Sequence, residues 1–154
     1  MKILLIRTAK GKNKWADAAV ENWKKRFVRT IPFEEKVCRP APAHKNIEER
    51  REVEALRVLD LLKDGDVIIS LDERGSLWST EELRDKLQQS MNRSAKRVVF
   101  IIGGPFGHAP VVRQKSNYIV SISRMVLNHE IARVCLVEQI YRVYTLIYGG
   151  DYHH

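Results

Sequence analysis

"RVVFIIGGPFG", Arg97 to Gly107, is the stretch on which the reading of this chain turns. Val98 to Ile102 form an unbroken apolar run, the mark of a strand covered on both faces. That run passes directly into Gly103 and Gly104, then Pro105 and Gly107. Open α/β sheets bind their ligands beyond the carboxyl ends of the strands, where such a turn would lie. A glycine there has no Cβ, so a ligand can come close to the backbone. The spacing is not G-x-G-x-x-G, which argues against a dinucleotide fingerprint, and no GK[ST] follows, which removes a P-loop. From the residues alone, the turn either reverses the chain or holds a ligand.

The same strand character recurs on both sides of it. "MKILLIRT" reads as a buried first strand, "FEEKVCR" as a second and more exposed one, and "DVIISLDERG" as a third with a continuous apolar run. "YIVSIS" supplies a fifth after a short helix from about Pro110 to Lys115. Helices fall between them. Asn13 opens one that runs to about Val28, with Trp15, Ala19, Trp23 and Phe27 spaced four apart. Asn46 to Lys63 forms another, with Val53, Leu56, Leu59 and Leu62 as its apolar stripe. Ser79 and Glu82 have the spacing of a capping box ahead of a third. Alternating strands and helices predict an α/β fold with a parallel sheet. At 154 residues the chain is one domain, and the "PAPAHK" segment is a loop rather than a linker.

The final helix, His129 to about Tyr148, is apolar all round: Ile131, Val134, Leu136, Val137, Ile140, Val143 and Ile147 point in every direction. Such a helix must be buried on all sides. In so small a domain one face covers the sheet and the other needs a partner, so a homodimer is expected.

Charge narrows the partners. The net charge is +8, and residues 1–36 hold ten Lys/Arg against four acids. A concentrated positive field attracts polyanions. Nucleic acid is preferred to a membrane surface, because no cationic helix here has a strongly apolar opposite face. "MKILLI" is too short for a signal-peptide core and no apolar run is long enough to span a bilayer, so a cytoplasmic location is expected. Cys38 and Cys135 form no CxxC pair. "HEIAR" starts like a zincin motif but has Arg133 where the second histidine belongs, and no metal is expected.

"IIGGPFG", "SISRMVLNHEIARVCLVEQIYRVY" and the terminal "YHH", together with "SLDERG" and "SNYIVSIS", resemble the RlmH family over essentially the whole chain. These are small SPOUT-class methyltransferases of large-subunit ribosomal RNA. The resemblance implies a single SPOUT domain over residues 1–154, with a parallel sheet, helices on both faces and a C-terminal deep trefoil knot. It implies S-adenosyl-L-methionine as methyl donor and a homodimer with the active site at the subunit interface. The implied product is N3-methylpseudouridine, made on ribosomal RNA that is preferably in the assembled ribosome. Leu71, Gly103 and the segment Ser123, Arg124, Met125, Val126, Leu127 and Asn128 match the family's donor pocket. "EQIYR", Glu138 to Arg142, and the Tyr-His near the terminus are among its most specific motifs, and the candidate catalytic residues lie in them: His153 for proton removal, Arg142 for stabilising charge and Tyr152 for stacking on the base, with Glu138 one turn before Arg142 placed to orient it. This chain has Phe106 where a polar residue is common, Asn128 where proline is frequent, and His154 in place of Lys or Arg. A non-catalytic basic RNA-binding module and a SPOUT enzyme with another RNA acceptor are the rival readings.

Overall fold

A computed structural model describes residues 1–8, 13–27, 32–150 and 152. Ten elements alternate along them: β1 (Lys2–Thr8), α1 (Lys14–Phe27), β2 (Phe33–Cys38), α2 (Ile47–Leu59), β3 (Val67–Leu77), α3 (Thr80–Asn92), β4 (Arg97–Ile102), α4 (Pro110–Lys115), β5 (Tyr118–Ser121) and α5 (His129–Tyr148). The five strands make one sheet in the order β2-β1-β4-β3-β5, and every pairing is parallel.

Side chains alternate across the central strands and fill two separate cores. Ile3, Leu5, Ile69, Val98 and Phe100 face α1, α3 and α5, packing with Val20, Phe27, Leu87, Val137 and Ile140. Leu4, Ile6, Ile68, Val99 and Ile101 face the other way, toward Ala55, Val58 and Val112 of α2 and α4. Helices thus cover both faces, and the apolar runs of β1, β3 and β4 follow from that double burial. Among the described residues no helix is long and apolar enough to cross a membrane.

Two helices are rotated from the expected setting. Trp15 is 54% exposed, and α1 buries Ala16 and Val20 together with the expected Phe27. Leu56 is 62% exposed, while α2 buries Glu54, Ala55 and Val58. Large apolar residues mislead here because the helices lie close to the sheet, and small side chains fit beneath them. The caps behave as the sequence predicts: Ser79 and Glu82 form a reciprocal capping box on α3, and Asn46 with Glu49 forms a second on α2.

The path into α5 matters most for function. β5 lies at one edge of the sheet, whereas the first turn of α5 is bonded to the opposite edge. Arg7 of β1 donates to Glu130 (3.1 Å), and Arg133 donates to Glu35 of β2 (2.7 and 2.9 Å) and to Asp17 of α1 (2.6 Å). Residues 122–128 therefore cross the carboxyl ends of β3 and β4. Arg7, Glu35, Glu130 and Arg133 are all buried along their side chains. Burial alone would raise the carboxyl pKa of Glu35, but the guanidiniums of Arg133 and Arg7 outweigh it and hold it below the usual value. The ion cluster fixes where the crossing segment lands.

Candidate active site

The glycine turn sits where three parallel strands end side by side. Its glycines answer to specific neighbours. A Cβ on Gly103 would meet the His108 ring at 3.1 Å, and one on Gly104 would meet a Glu54 carboxylate oxygen at 2.8 Å. Gly107 has φ of +74° and its N–H closes the turn on the Gly104 carbonyl (3.0 Å). Glu54 also accepts the Ala41 N–H (3.0 Å), joining the turn to the loop before α2.

His108 holds the other side. Its Nε2 lies 2.8 Å from the Leu71 carbonyl oxygen, which can only accept, so Nε2 carries the proton. Burial pushes the His108 pKa down, and the ring is neutral. One imidazole thus braces the end of β3 against the turn after β4. Neither His108 nor Glu54 stood out in the sequence. A charged or titratable side chain on a helix or loop gives no sign that it will be buried against a glycine.

Between these strand ends and the crossing segment lies a cavity of about 280 Å³. Leu71, Ile102, Gly103 and Val120 form its floor, and Ser123, Met125, Val126 and Leu127 form its cover. His129 and Ala132 close it from α5, while Arg51, Asp72 and Phe106 stand around it. The cover is locally organised: the Ser121 hydroxyl donates to the Ser123 carbonyl (2.7 Å), and the Ser123 hydroxyl accepts the Met125 N–H (2.9 Å). Met125 and Val126 are largely exposed. Arg124 is exposed and does not line the cavity, and the Asn128 side chain instead accepts the Glu130 N–H (2.8 Å) as the cap of α5. Apolar walls with backbone polar groups suit a flat heterocycle joined to a sugar, which is the character of an adenosyl group. Of the residues expected to hold the donor, the geometry gathers Leu71, Gly103, Ser123, Met125, Val126 and Leu127 at one cavity.

A second cluster stands further along α5. Glu138 accepts from both Nη2 (2.6 Å) and Nε (3.0 Å) of Arg142, as their spacing of four requires. Arg142 also donates through Nη1 to the Tyr152 carbonyl (3.2 Å), and its guanidinium carbon lies 4.7 Å from the centre of the Tyr152 ring. That ring meets Trp23 and Tyr141 edge-on, at 5.5 and 5.1 Å between centroids. His153 and His154 lie outside the described residues. A second, larger hollow of about 730 Å³ joins the two regions. It shares Leu71, Val120, Ser121 and Ile122 with the first cavity and reaches Trp23 and Glu138, with Trp78, Leu83 and Val134 as apolar walls. The smaller cavity is the better ligand site, since of the two it alone is lined by the glycine turn. The larger is an apolar hollow between α3, α5 and the sheet. Among the described residues no three His, Cys, Asp or Glu side chains group to hold a metal ion.

The chain is similar in sequence to known proteins along its whole length. Residues 1–153 match a family described as predicted SPOUT methyltransferase. A protein of Bacteroides thetaiotaomicron named ribosomal RNA large subunit methyltransferase H is 38% identical over 138 residues, covering 88% of each chain. Its namesake in Parabacteroides distasonis is 33% identical over 156 residues, covering all of this chain and 99% of its own. A putative RNA methyltransferase of Arabidopsis thaliana is 33% identical over 153 residues, covering 99% of this chain and 79% of its own. With a family match over residues 1–153 and relatives 33–38% identical over nearly the whole chain, this chain belongs to the SPOUT methyltransferases, in their RlmH branch.

Proposed function

We propose that this enzyme uses S-adenosyl-L-methionine to methylate N3 of a pseudouridine in large-subunit ribosomal RNA. The observation that carries the proposal is the cavity at Gly103, closed by the segment that crosses from β5 to α5. Leu71, Gly103 and residues 123–128 would hold the donor, with Met125 to Leu127 covering its adenosyl part. The backbone around Arg124 and the helix-capping Asn128 would keep that cover in register. The bound donor supplies an electrophilic methyl on a sulfonium. The crossing segment is also where the family's trefoil knot would be threaded.

The acceptor nitrogen is an imide and a poor nucleophile until its proton leaves. Arg142, held by Glu138 and by the Tyr152 carbonyl, would stabilise negative charge on the flanking carbonyl oxygens. Tyr152 would stack on the base, and His153 would take its proton. Positioning of nucleophile and methyl group supplies much of the remaining acceleration.

The uncovered surface of α5 supports a homodimer, because Ile131 and Tyr148 are 44% and 59% exposed in one chain. A second copy seated on it would bring one chain's Arg142 cluster toward the other's donor cavity. The basic N-terminal third, including Lys14, Lys25 and Arg26 on α1, suits an RNA phosphate backbone and an assembled ribosome in the cytoplasm.

Mass spectrometry of ribosomal RNA from a deletion strain tests the substrate. N3-methylpseudouridine should vanish from the large-subunit RNA and return with the wild-type gene. Unchanged ribosomal RNA, with a methyl lost from another RNA, would reject this acceptor.

A further inference from the structure

The donor proposed above is a nucleoside with a zwitterionic amino-acid tail, and the cavity's apolar floor and cover account for the nucleoside alone. Arg51 lies at the same cavity, on the first half of α2. Its Nε donates to the Phe106 carbonyl of the glycine turn at 2.6 Å. Among the described residues that carbonyl is its hydrogen-bond partner, and both terminal nitrogens are left without one. The neighbouring Arg50 packs its guanidinium 4.6 Å from the centre of the Phe106 ring, so the first half of α2 is fastened to the turn at two points.

The other basic side chains at this cavity are engaged. Arg74 is bonded to Asp72 (3.2 Å) and largely exposed. Arg113, beside the cavity, is paired with the same carboxylate. The His129 Nε2 lies 3.8 Å from Glu130. Arg51 is therefore the one lining cation, among the described residues, that no carboxylate occupies. A guanidinium held through Nε presents its two terminal nitrogens as a planar fork, the geometry that suits a carboxylate.

We infer that Arg51 binds the α-carboxylate of the methyl donor's amino-acid tail and so selects the intact donor over truncated nucleosides. This rests on the donor reading of the cavity. It makes Arg51 a specificity residue that acts on binding, and the glycine turn its anchor.

Calorimetric titration with three probes tests it: S-adenosylhomocysteine, its decarboxylated analogue, and 5′-methylthioadenosine, which lacks the whole tail. Wild-type protein should bind S-adenosylhomocysteine roughly tenfold more tightly than the decarboxylated analogue, as loss of one charge-assisted pair implies. Arg51→Met should weaken S-adenosylhomocysteine by the same factor and leave 5′-methylthioadenosine unchanged. Equal weakening of both ligands would make Arg51 a brace for the turn and overturn the inference. So would a wild-type protein indifferent to the carboxylate, which needs no variant to detect. Loss of RNA affinity with donor affinity intact would assign Arg51 to a phosphate and also overturn it. If wild-type protein bound none of the three nucleosides, the donor reading itself would fall; the other negative outcomes leave that reading standing.

Discussion

The cavity at Gly103 and the Arg142 cluster are made of different material. The cavity is built from strand ends, glycines and a crossing segment, so its contacts are largely backbone and apolar surface. The Arg142 cluster is built from side chains: a carboxylate, a guanidinium and a phenol ring held within hydrogen-bond or stacking distance. A backbone-built site tolerates changes of side chain that do not move the chain. A side-chain site does not, because under the proposed function each group would itself be the chemistry. Binding and catalysis should therefore separate on mutation.

The sharpest break of that comparison is at Arg142. Arg142→Ala should lower methylation by roughly 100-fold or more, the usual cost of removing a group that stabilises developing charge. A loss below tenfold would remove Arg142 from the chemistry.

Next comes the ion cluster that sets both regions, since α5 carries the cavity wall at one end and Arg142 further on. Arg133 also donates to Glu130 (3.0 Å), so Arg133→Met leaves buried Glu35 and Glu130 with Arg7 as their one remaining guanidinium and should cost about 3 kcal/mol of stability. Chemical denaturation would measure it, and a cost near zero would show the cluster to be dispensable. The same cluster gives a pH signature. Glu35 and Asp17 both have carboxyl pKa values held below the ordinary range, Asp17 mainly by its hydrogen bond to Arg133. A depressed folded-state pKa contributes stability above the unfolded value, lost as pH falls through the folded one. Stability should be level from neutral to about pH 5 and fall below the ordinary carboxyl pKa of roughly 4.3. Arg133→Met should flatten that fall.

The smallest expected effect is at the turn. Gly103→Ala brings a methyl to 3.1 Å from the His108 ring, which is pinned by Leu71, so the turn must shift by a few tenths of an ångström. The KM for the donor should rise roughly tenfold while kcat changes little, since the loss is of uniform binding. A drop in kcat alone would join the turn to the chemistry.

Much of this was legible in the sequence, for reasons that differ by element. β1, β3 and β4 announced themselves because double burial demands continuous apolar runs, and α5 because its apolar residues run all round it; its caps, Asn128 and Gly149, came only with the structure. The Glu138–Arg142 pair followed from helical spacing. The tilt of α1 and α2 was hidden, because Trp15 and Leu56 are large and apolar yet the sheet selects Ala16 and Ala55. Long-range partners were hidden too. Arg7 meets Glu130 across 123 residues, and only the crossing path brings them together. His108 carries no local signal of its bond to Leu71, 37 residues away.

Calorimetric titration of S-adenosyl-L-methionine into wild-type protein, Arg142→Ala and Gly103→Ala, side by side, tests the separation of the two regions most directly. Wild-type protein and Arg142→Ala should bind one donor per chain with the same affinity, and Gly103→Ala roughly tenfold more weakly. A silent wild-type titration, or an Arg142→Ala protein as impaired as Gly103→Ala, would contradict the account.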